Sequence, residues 1–441
     1  MERIKNPNAA GIDISSREHV VAVPKYQTEH SVRTFGTFTE DLHRLAKWLT
    51  SCNVKTIAME STGVYWYHLY TVLLDYGFEV YLVNAYYVKN VPGRKSDISD
   101  AQWLQELHSF GLLKACFQPD NLTRTLRNYV RLRKSIIEQM GSEVQRMQKA
   151  LEQMNIKLNN VIRELTGKTG MAIIEAILSG ERSPVALAKN RDYRIKASEQ
   201  VIVKSLTGNW REEQIFNLQM AYEHYCFLQN QLKKCDKESE KTIKKMSGSS
   251  TKQKEIKEKK KAKNSLNFNA SQYLYNALGV DITQIFGVKE TTGLTIVSET
   301  GINLKETFPS EKQFLNWLNV VPDNKITGGK VISSRVRKKK NKAGFAFRDA
   351  ANALWRAQNP LGDYLRRKKA RSGSKQAIVS TARKIAAIYY KMVTEKVEFD
   401  PQYLKQKTKQ YLEQKLIDLE INTIRIKKLL ANEMEFNDAV I

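Results

Sequence analysis

The stretch Gly11-Ile12-Asp13-Ile14-Ser15 decides the fold, because it predicts a first strand that carries an acid near its end. A second apolar stretch, Thr56-Ile57-Ala58-Met59-Glu60, predicts another strand that ends in an acid. Farther on, Asp97 and Asp100 lie three residues apart at the predicted start of a helix, which would place both on one helical face. Carboxylates clustered in this way are costly without a cation, and Mg²⁺ prefers their oxygens as ligands. In a very basic chain these four acids predict a divalent-metal site for phosphodiester chemistry.

Three of these acids also have a simpler interpretation. Asp97 and Asp100 would complement the helix dipole and its free N–H groups, with Ser96 or Asp97 as the N-cap. Asp13 would be a turn residue at a strand end. Only the four acids together, in this order along the chain, favour the metal site over these readings.

The region around the acids, residues 9–118, alternates strand and helix patterns. The first two strands, which Ser-Arg-Glu separates, form a predicted hairpin. This order predicts an α/β layer with a mixed sheet. The predicted strands are Gly11–Ser15, His19–Pro24, Val32–Phe38, Thr56–Glu60 and Glu79–Asn84, and the predicted helices run from Thr39 to about Thr50 and from Tyr65 to Tyr76.

Residues 123–245 carry an almost wholly helical pattern with few glycines. Such a stretch predicts an elongated helical or coiled-coil insert that serves spacing, dimerisation or nucleic-acid support. The apolar stripe needs no cofactor and is typical of core packing. Its members are Leu132, Ile136, Ile137, Met140, Val144, Met147 and Leu151.

The composition changes at residues 247–264, where small polar residues give way to a lysine-rich run that predicts a linker or a solvated helix extension. A second compact region follows. An amphipathic helix over Leu404–Met434 is typical of pairing with another helix or a second subunit. The predicted parts are a metal-dependent α/β domain (1–122), a helical coiled-coil region (123–246), a basic linker (247–266), a C-terminal domain (267–400) and a C-terminal amphipathic helix (401–441).

The charge balance indicates a polyanionic partner. Lys and Arg number 72 against 46 Asp and Glu, a formal net charge of +26, and such a surplus favours phosphate backbones. A membrane is disfavoured because no apolar run approaches the roughly 20 residues that a spanning helix needs. Four cysteines without CxxC spacing and six scattered histidines disfavour zinc and a disulfide framework. The N-terminus lacks an apolar signal region, so a reducing cytoplasm is the expected location.

A second candidate site surrounds Thr327-Gly328-Gly329-Lys330, a turn whose backbone N–H groups could approach a phosphate closely. Gly-Gly alone would indicate only a hairpin turn. The segment from Lys330 to Arg371, however, holds 14 Lys and Arg against two acids, with aromatic residues interleaved. We interpret it as a nucleic-acid backbone surface. The residues expected to hold phosphates are Gly328, Gly329, Lys330, Arg335, Arg337, Lys338, Lys339 and Lys340.

Four stretches together resemble the DEDD-type transposases of bacterial insertion sequences, recombinases that a bridge RNA guides. The resemblance runs from about residue 9 to about residue 395 and includes the helical insert. The stretches are GIDISS (11–16), AMESTGVYW (58–66), VYLVNAYYVKNVPGRKSDISDAQWLQELHSFGLL (80–113) and VPDNKITGGKVISSRVRKKKNKA (321–343).

The resemblance implies an α/β plus α architecture: an RNase H-like (RuvC-like) domain, a helical insert and a small helical C-terminal transposase domain. It implies that Asp13, Glu60, Asp97 and Asp100 bind Mg²⁺ or Mn²⁺. It also implies a nucleophilic hydroxyl just before Gly328, which attacks a DNA phosphate and forms a covalent protein–DNA link. The implied partners are donor and target double-stranded DNA, a structured guide RNA and further copies of the chain, as a dimer and as a tetramer at synapsis.

One position departs from the family pattern, because the nucleophilic serine is replaced by Thr327. Threonine keeps the hydroxyl, but its β-methyl group crowds the oxygen and restricts χ1. Three interpretations stay open: a working threonine nucleophile, an impaired copy that still binds nucleic acid, or use of nearby Ser333 or Ser334. The sequence thus predicts an RNA-guided DNA recombinase, with an RNA/DNA-binding relic or a metal-dependent junction nuclease as alternatives.

Overall fold

The computed structural model describes residues 4–84, 88, 99–248, 254–258, 262–337 and 341–438. The chain divides into two compact units, Met1–Gln118 and Pro119–Ile441. Among the described residues, no helix has both the length and the apolar character that crossing a membrane requires.

The first unit is built on a five-stranded mixed sheet in the order β3-β2-β1-β4-β5. The first three strands pair antiparallel, whereas β4 pairs parallel with both β1 and β5. The predicted mixed α/β sheet is confirmed, and its topology is consistent with an RNase H-like domain. The strands are β1 (Ala9–Ile14), β2 (Glu18–Ala22), β3 (Val32–Gly36), β4 (Thr56–Glu60) and β5 (Glu79–Val83).

Three helices cover the two faces of this sheet: α1 (Thr39–Ser51), α2 (Trp66–Asp75) and α3 (Asp100–Ser109). Successive side chains of a strand alternate between faces, and β1 accordingly sends Ala10, Ile12 and Ile14 into one buried cluster. That cluster includes apolar side chains of α1 and α2. On the other face, Ala58 belongs to a second buried cluster with Trp103, Leu104 and Leu107 of α3.

The second unit is almost wholly helical, as predicted for residues 123–245. Its two long helices, α4 (Asn121–Gln153) and α9 (Glu212–Met246), pack on each other. Their coiled-coil character stays a prediction. Leu132 of the predicted stripe is 53 % exposed and therefore does not belong to the buried face of α4, which the other apolar residues of the stripe form. Four short helices lie between them: α5 (Leu158–Val161), α6 (Lys168–Leu178), α7 (Pro184–Ala188) and α8 (Glu199–Leu206).

A buried ion pair connects α4 and α9. Arg133 Nε lies 2.6 Å from Asp236 Oδ1, and both side chains are almost fully buried. The same guanidinium donates to the carbonyls of Asn264 and Ser265, while Asn267 donates to the other oxygen of Asp236. The end of the predicted linker is therefore fixed to the helix pair.

The rest of the second unit consists of further helices and one small hairpin. A second buried carboxylate, Glu299, accepts a bidentate pair of hydrogen bonds from Arg131, both of 2.8 Å, which joins α4 to α11. The elements are α10 (Ala270–Leu278), a 3₁₀ turn (Ile282–Gln284), α11 (Glu290–Thr300), α12 (Leu304–Thr307), α13 (Glu311–Trp317), β6 (Lys325–Thr327), β7 (Lys330–Ser333), α14 (Lys342–Asn352), α15 (Pro360–Glu395) and α16 (Pro401–Asp438).

Candidate active site

Asp13 and Glu60 lie side by side at the carboxyl ends of two adjacent parallel strands. The register pairs Gly11 with Ala58 and Ile12 with Met59, so Asp13 and Glu60 occupy the next position on each strand. Alternation places both acids on the face of the sheet to which Ala58 and α3 contribute. Both are partly buried. The Glu60 carboxylate accepts a hydrogen bond of 3.2 Å from the Thr62 hydroxyl.

Helix α3 packs directly on β1 through Gly11. A β-carbon built on Gly11 would lie 2.3 Å from the carbonyl oxygen of Ala101 and 2.3 Å from the backbone nitrogen of Gln105. At the other end of α3, the Ser109 carbonyl accepts hydrogen bonds from the backbone N–H groups of Lys5 and Asn6, which precede β1. The helix therefore runs antiparallel to β1, and its amino end lies toward the carboxyl ends of β1 and β4.

Asp100 is the first residue of α3 and is exposed. The N-cap is Ser99, whose hydroxyl accepts from the N–H of Gln102 at 3.3 Å, and Gln102 completes a capping box. The capping role proposed for Ser96 or Asp97 is thus filled by Ser99. Asp97 lies outside the described residues, and the described helix begins only at Asp100.

The described acids have the chemistry that a magnesium site requires. Asp13, Glu60 and Asp100 offer carboxylate oxygens, and the amino end of α3 adds no competing soft ligand. The described residues contain no group of three His, Cys, Asp or Glu that could hold a metal. That finding covers Asp13, Glu60 and Asp100, so these three acids do not form such a group by themselves, and Asp97, the fourth of the predicted set, lies outside the described residues.

The Thr327 segment forms a tight two-residue hairpin. Thr327 pairs with Lys330, and the intervening Gly328 and Gly329 have φ angles of 55° and 75°. Positive φ at both central residues is the geometry of a type I′ turn, which glycine adopts without steric cost. Among the described residues, no neighbouring atom lies within 4 Å of a β-carbon built on either glycine, so the turn is open there, and the Thr327 side chain beside it is exposed.

The base of the hairpin is fixed by Asp323. Its backbone N–H donates to the Arg335 carbonyl at 3.0 Å, and its carboxylate lies 3.1 Å from the Arg337 guanidinium, which lowers the pKa of Asp323. Ser333 pairs with Lys325 at this base, at the opposite end of β6 from Thr327. Lys338, Lys339 and Lys340 lie outside the described residues.

The hairpin has a feature that the sequence analysis missed. Three β-branched residues are largely exposed: Ile326 at 60 %, Val331 at 56 % and Ile332 at 70 %. Ile326 and Val331 are directly paired, whereas Ile332 is the extra residue of an irregularity between the Ile326–Val331 and Lys325–Ser333 pairs. The signal was present as β-branched residues on both sides of Gly-Gly, and it marks an apolar surface rather than a purely cationic one.

The cations after the hairpin divide into those that bond to carbonyls or acids of the fold and those that line a pocket. Arg348 donates to the Asn319 carbonyl, and Arg366 pairs with Asp363, so both have partners inside the fold. Others line a pocket of about 230 Å³ whose described lining residues include no acid. Its polar and aromatic lining residues are Tyr364, Arg367, Lys368, Arg371, Lys384, Thr408 and Tyr411.

Two family models match the chain. A model of the IS110-type DEDD transposases matches residues 10–156, the part that holds Asp13, Glu60, Asp97 and Asp100. A model described as the transposase IS116/IS110/IS902 family matches residues 281–365, the part that holds the Thr327 hairpin. No curated protein matches the chain.

Proposed function

Because the chain belongs to the IS110-type DEDD transposases of insertion sequences, we propose that it recombines DNA through an acidic metal site and a threonine hydroxyl. Transposases of this kind act on DNA, and their DEDD domains generally use divalent metal ions. The observation that carries the proposal is the placement of Asp13 and Glu60 on adjacent strand ends, with the amino end of α3 directed toward them. Acting on bacterial DNA, the protein would work at the nucleoid in the cytoplasm.

Asp13, Glu60 and Asp100, with Asp97, would hold Mg²⁺ or Mn²⁺. When bound, the metal would neutralise phosphate charge and lower the barrier to displacement at phosphorus. The role of the chain's own residues is to fix the carboxylates: the strand register holds Asp13 beside Glu60, and the Gly11 contact fixes the position of α3.

Thr327 would supply the nucleophile. Its Oγ would bond to a DNA phosphorus while one bridging P–O bond breaks, the threonine proton passing to a base and the displaced oxygen leaving as a DNA hydroxyl. The open turn favours this role, since no described residue near Gly328 or Gly329 blocks the approach of a phosphodiester. The β-methyl group of threonine would slow the step relative to serine, because in-line attack tolerates little misplacement.

The basic residues around the hairpin would hold the nucleic acids. Gly328, Gly329 and Lys330 would contact phosphates at the turn, and Arg335, Arg337 and Lys338–Lys340 would contact them along its flank. A structured guide RNA would select donor and target by base pairing, so that the protein needs to recognise mainly backbone and shape. Joining two duplexes implies at least a dimer, and we propose a tetramer at synapsis.

Two alternatives have specific support. A catalytically impaired RNA/DNA-binding relic is favoured by threonine at the serine position. A metal-dependent junction nuclease is favoured by the acidic site, which would cut without a protein nucleophile. Ser333 and Ser334 are weaker nucleophile candidates, because Ser333 lies at the base of the hairpin, away from the turn.

Trapping of the covalent intermediate tests the proposal. The protein, its element-end RNA and labelled donor and target DNA are incubated with Mg²⁺ beside the Thr327→Ser and Thr327→Ala variants, and denaturing gels detect adducts. We expect an adduct with threonine, more with serine and none with alanine. An adduct with serine only would indicate the relic, and cleavage without any adduct would indicate the nuclease.

A further inference from the structure

The C-terminal helix α16 carries large apolar side chains that its own chain leaves exposed. Every residue from Tyr411 to Leu430 is exposed. The helix lies beyond both family matches, which end at residues 156 and 365. The apolar side chains are 48–59 % exposed: Tyr411, Leu412, Leu416, Ile417, Leu419, Ile421, Ile424, Ile426, Leu429 and Leu430.

Six positions of this helix follow a heptad pattern. They are spaced by four, three, four, three and four residues, which is the 3.5-residue period of a coiled-coil seam. On an α-helix they form one narrow stripe, while Ile417, Ile421 and Ile424 lie on the opposite side. Helices gain most of their stability in proteins from packing an apolar face, so this stripe requires a partner. The six are Leu412, Leu416, Leu419, Thr423, Ile426 and Leu430.

The charges beside the stripe indicate the partner. With Leu412, Leu419 and Ile426 as d positions, Lys415 is a g residue and Glu420 is the e residue of the following heptad. In a parallel dimer each g residue faces the e residue five positions later on the other helix. Lys415 would therefore meet Glu420 of the partner subunit, twice per dimer. Neither residue takes part in an ion pair of the described residues, whereas nearby Lys409 already pairs with Glu413 at 3.7 Å.

We propose that Leu412–Leu430 forms a parallel, in-register, two-stranded coiled coil with the same segment of a second copy of this chain. An antiparallel pair would instead place g residues against g residues and e against e, and it would lose both Lys415–Glu420 contacts. This interface joins two subunits through their last helices, and it requires neither the acidic site nor the Thr327 hairpin.

Disulfide trapping in the full-length protein tests the register. In a parallel, in-register pair the two copies of residue 419 face each other, so Leu419→Cys is expected to give a reducible dimer on mild oxidation. Asp418→Cys, one residue away and outside the seam, is the matched control, and the wild type gives the background of the four native cysteines. Equal dimer yields for the two variants would overturn the proposal.

Charge reversal tests the orientation. In the Leu419→Cys background, Lys415→Glu or Glu420→Lys alone should lower the dimer yield several-fold, and the two together should restore it. Failure of the double variant to restore the yield overturns the parallel arrangement. Light scattering must also give a dimer in the absence of nucleic acid, and a trimer or tetramer through this helix overturns the two-stranded form. No DNA is needed, so these outcomes leave the proposed recombination unaffected.

Discussion

Gly11 and Ala101 pack so closely that a β-carbon on Gly11 would lie 2.3 Å from the Ala101 carbonyl oxygen. This contact fixes the height of α3 above β1, and thereby the position of its amino end relative to Asp13 and Glu60. The acids alone do not form the candidate site, because the glycine that lets the helix approach is equally necessary.

The Gly11→Ala substitution should displace α3. The clash is with helix backbone, which cannot rotate away as a side chain could, so we expect destabilisation of about 1–3 kcal/mol together with loss of metal-dependent activity. Denaturant unfolding and a DNA cleavage assay measure the two effects. Gly141→Ala is the control, since no neighbouring atom of the described residues lies within 4 Å of its built β-carbon and a helical Gly→Ala change should stabilise by up to about 1 kcal/mol. Normal activity in Gly11→Ala would contradict the assigned role of this contact.

Neutralising the paired acids should abolish activity without unfolding the protein. Asp13→Asn and Glu60→Gln keep side-chain size but remove the charge that would hold the metal, so strand exchange should fall by roughly 100-fold or more. Glu79→Gln is a matched control, because Glu79 pairs with Thr56 at the opposite end of the same sheet. Titration with Mg²⁺, followed calorimetrically, should show weaker binding only in the first two variants. Equal loss in all three would indicate a structural effect.

The turn glycines should be needed for chemistry more than for stability. Gly328→Ala places a β-carbon at a φ of 55°, which costs roughly 1–2 kcal/mol locally and shifts the adjacent Thr327. Because the hairpin is exposed, the melting temperature should change little while adduct formation falls. Gly328→Asn is the informative comparison, since asparagine tolerates this conformation better. If the Gly328→Ala and Gly328→Asn variants form equal amounts of adduct, the positive φ of residue 328 does not control adduct formation.

Stability should decrease in mild acid because of His108. The His108 imidazole is fully buried, and its Nε2 lies 2.8 Å from the Thr56 hydroxyl. Burial lowers the pKa of His108 to about 4, and the negative charge of Glu79 raises it by a smaller amount. Below pH 6.5 the unfolded chain binds a proton that the folded chain excludes until about pH 4. The free energy of unfolding should therefore fall by roughly 2 kcal/mol between these values. Urea titrations of wild type and His108→Gln measure it, and an unchanged pH slope in the variant would refute the assignment.

Removing one partner of the buried ion pair should be far more costly than removing a surface partner. Asp236→Ala leaves the Arg133 charge buried and releases Asn267, so we expect a loss of about 3–5 kcal/mol. Glu238 lies two residues after Asp236 and forms an exposed ion pair with Lys241. Glu238→Ala removes that pair and should cost less than about 1 kcal/mol. Thermal unfolding of both variants gives the comparison. Similar losses would mean that the Asp236 network is not important for stability.

The sequence predicted the sheet well because β1 and β4 are short apolar runs, buried on both faces, that each carry an acid at or near the end. It could not predict that Ser99 caps α3, since Ser96, Asp97 and Ser99 are all plausible caps within one turn. Leu132 was assigned to the core from spacing alone, although only the position of α9 decides which face of α4 is buried. The break in α15 at Gly373, where φ is 78°, was missed although Ser372-Gly373-Ser374 is a small polar cluster of the kind that marks a turn.

The exposed hairpin has a consequence for when this protein can act. Two strands without a third are marginally stable in water, and here every residue of both strands except Ser333 is exposed. The free energy that orders the Thr327 hydroxyl must therefore come from a surface that covers Ile326, Val331 and Ile332. A lone subunit would carry its nucleophile on a loosely held element, and reactivity toward DNA would appear only with assembly. On the proposed mechanism, such latency would keep the hydroxyl from attacking DNA before the subunits and their substrates are brought together.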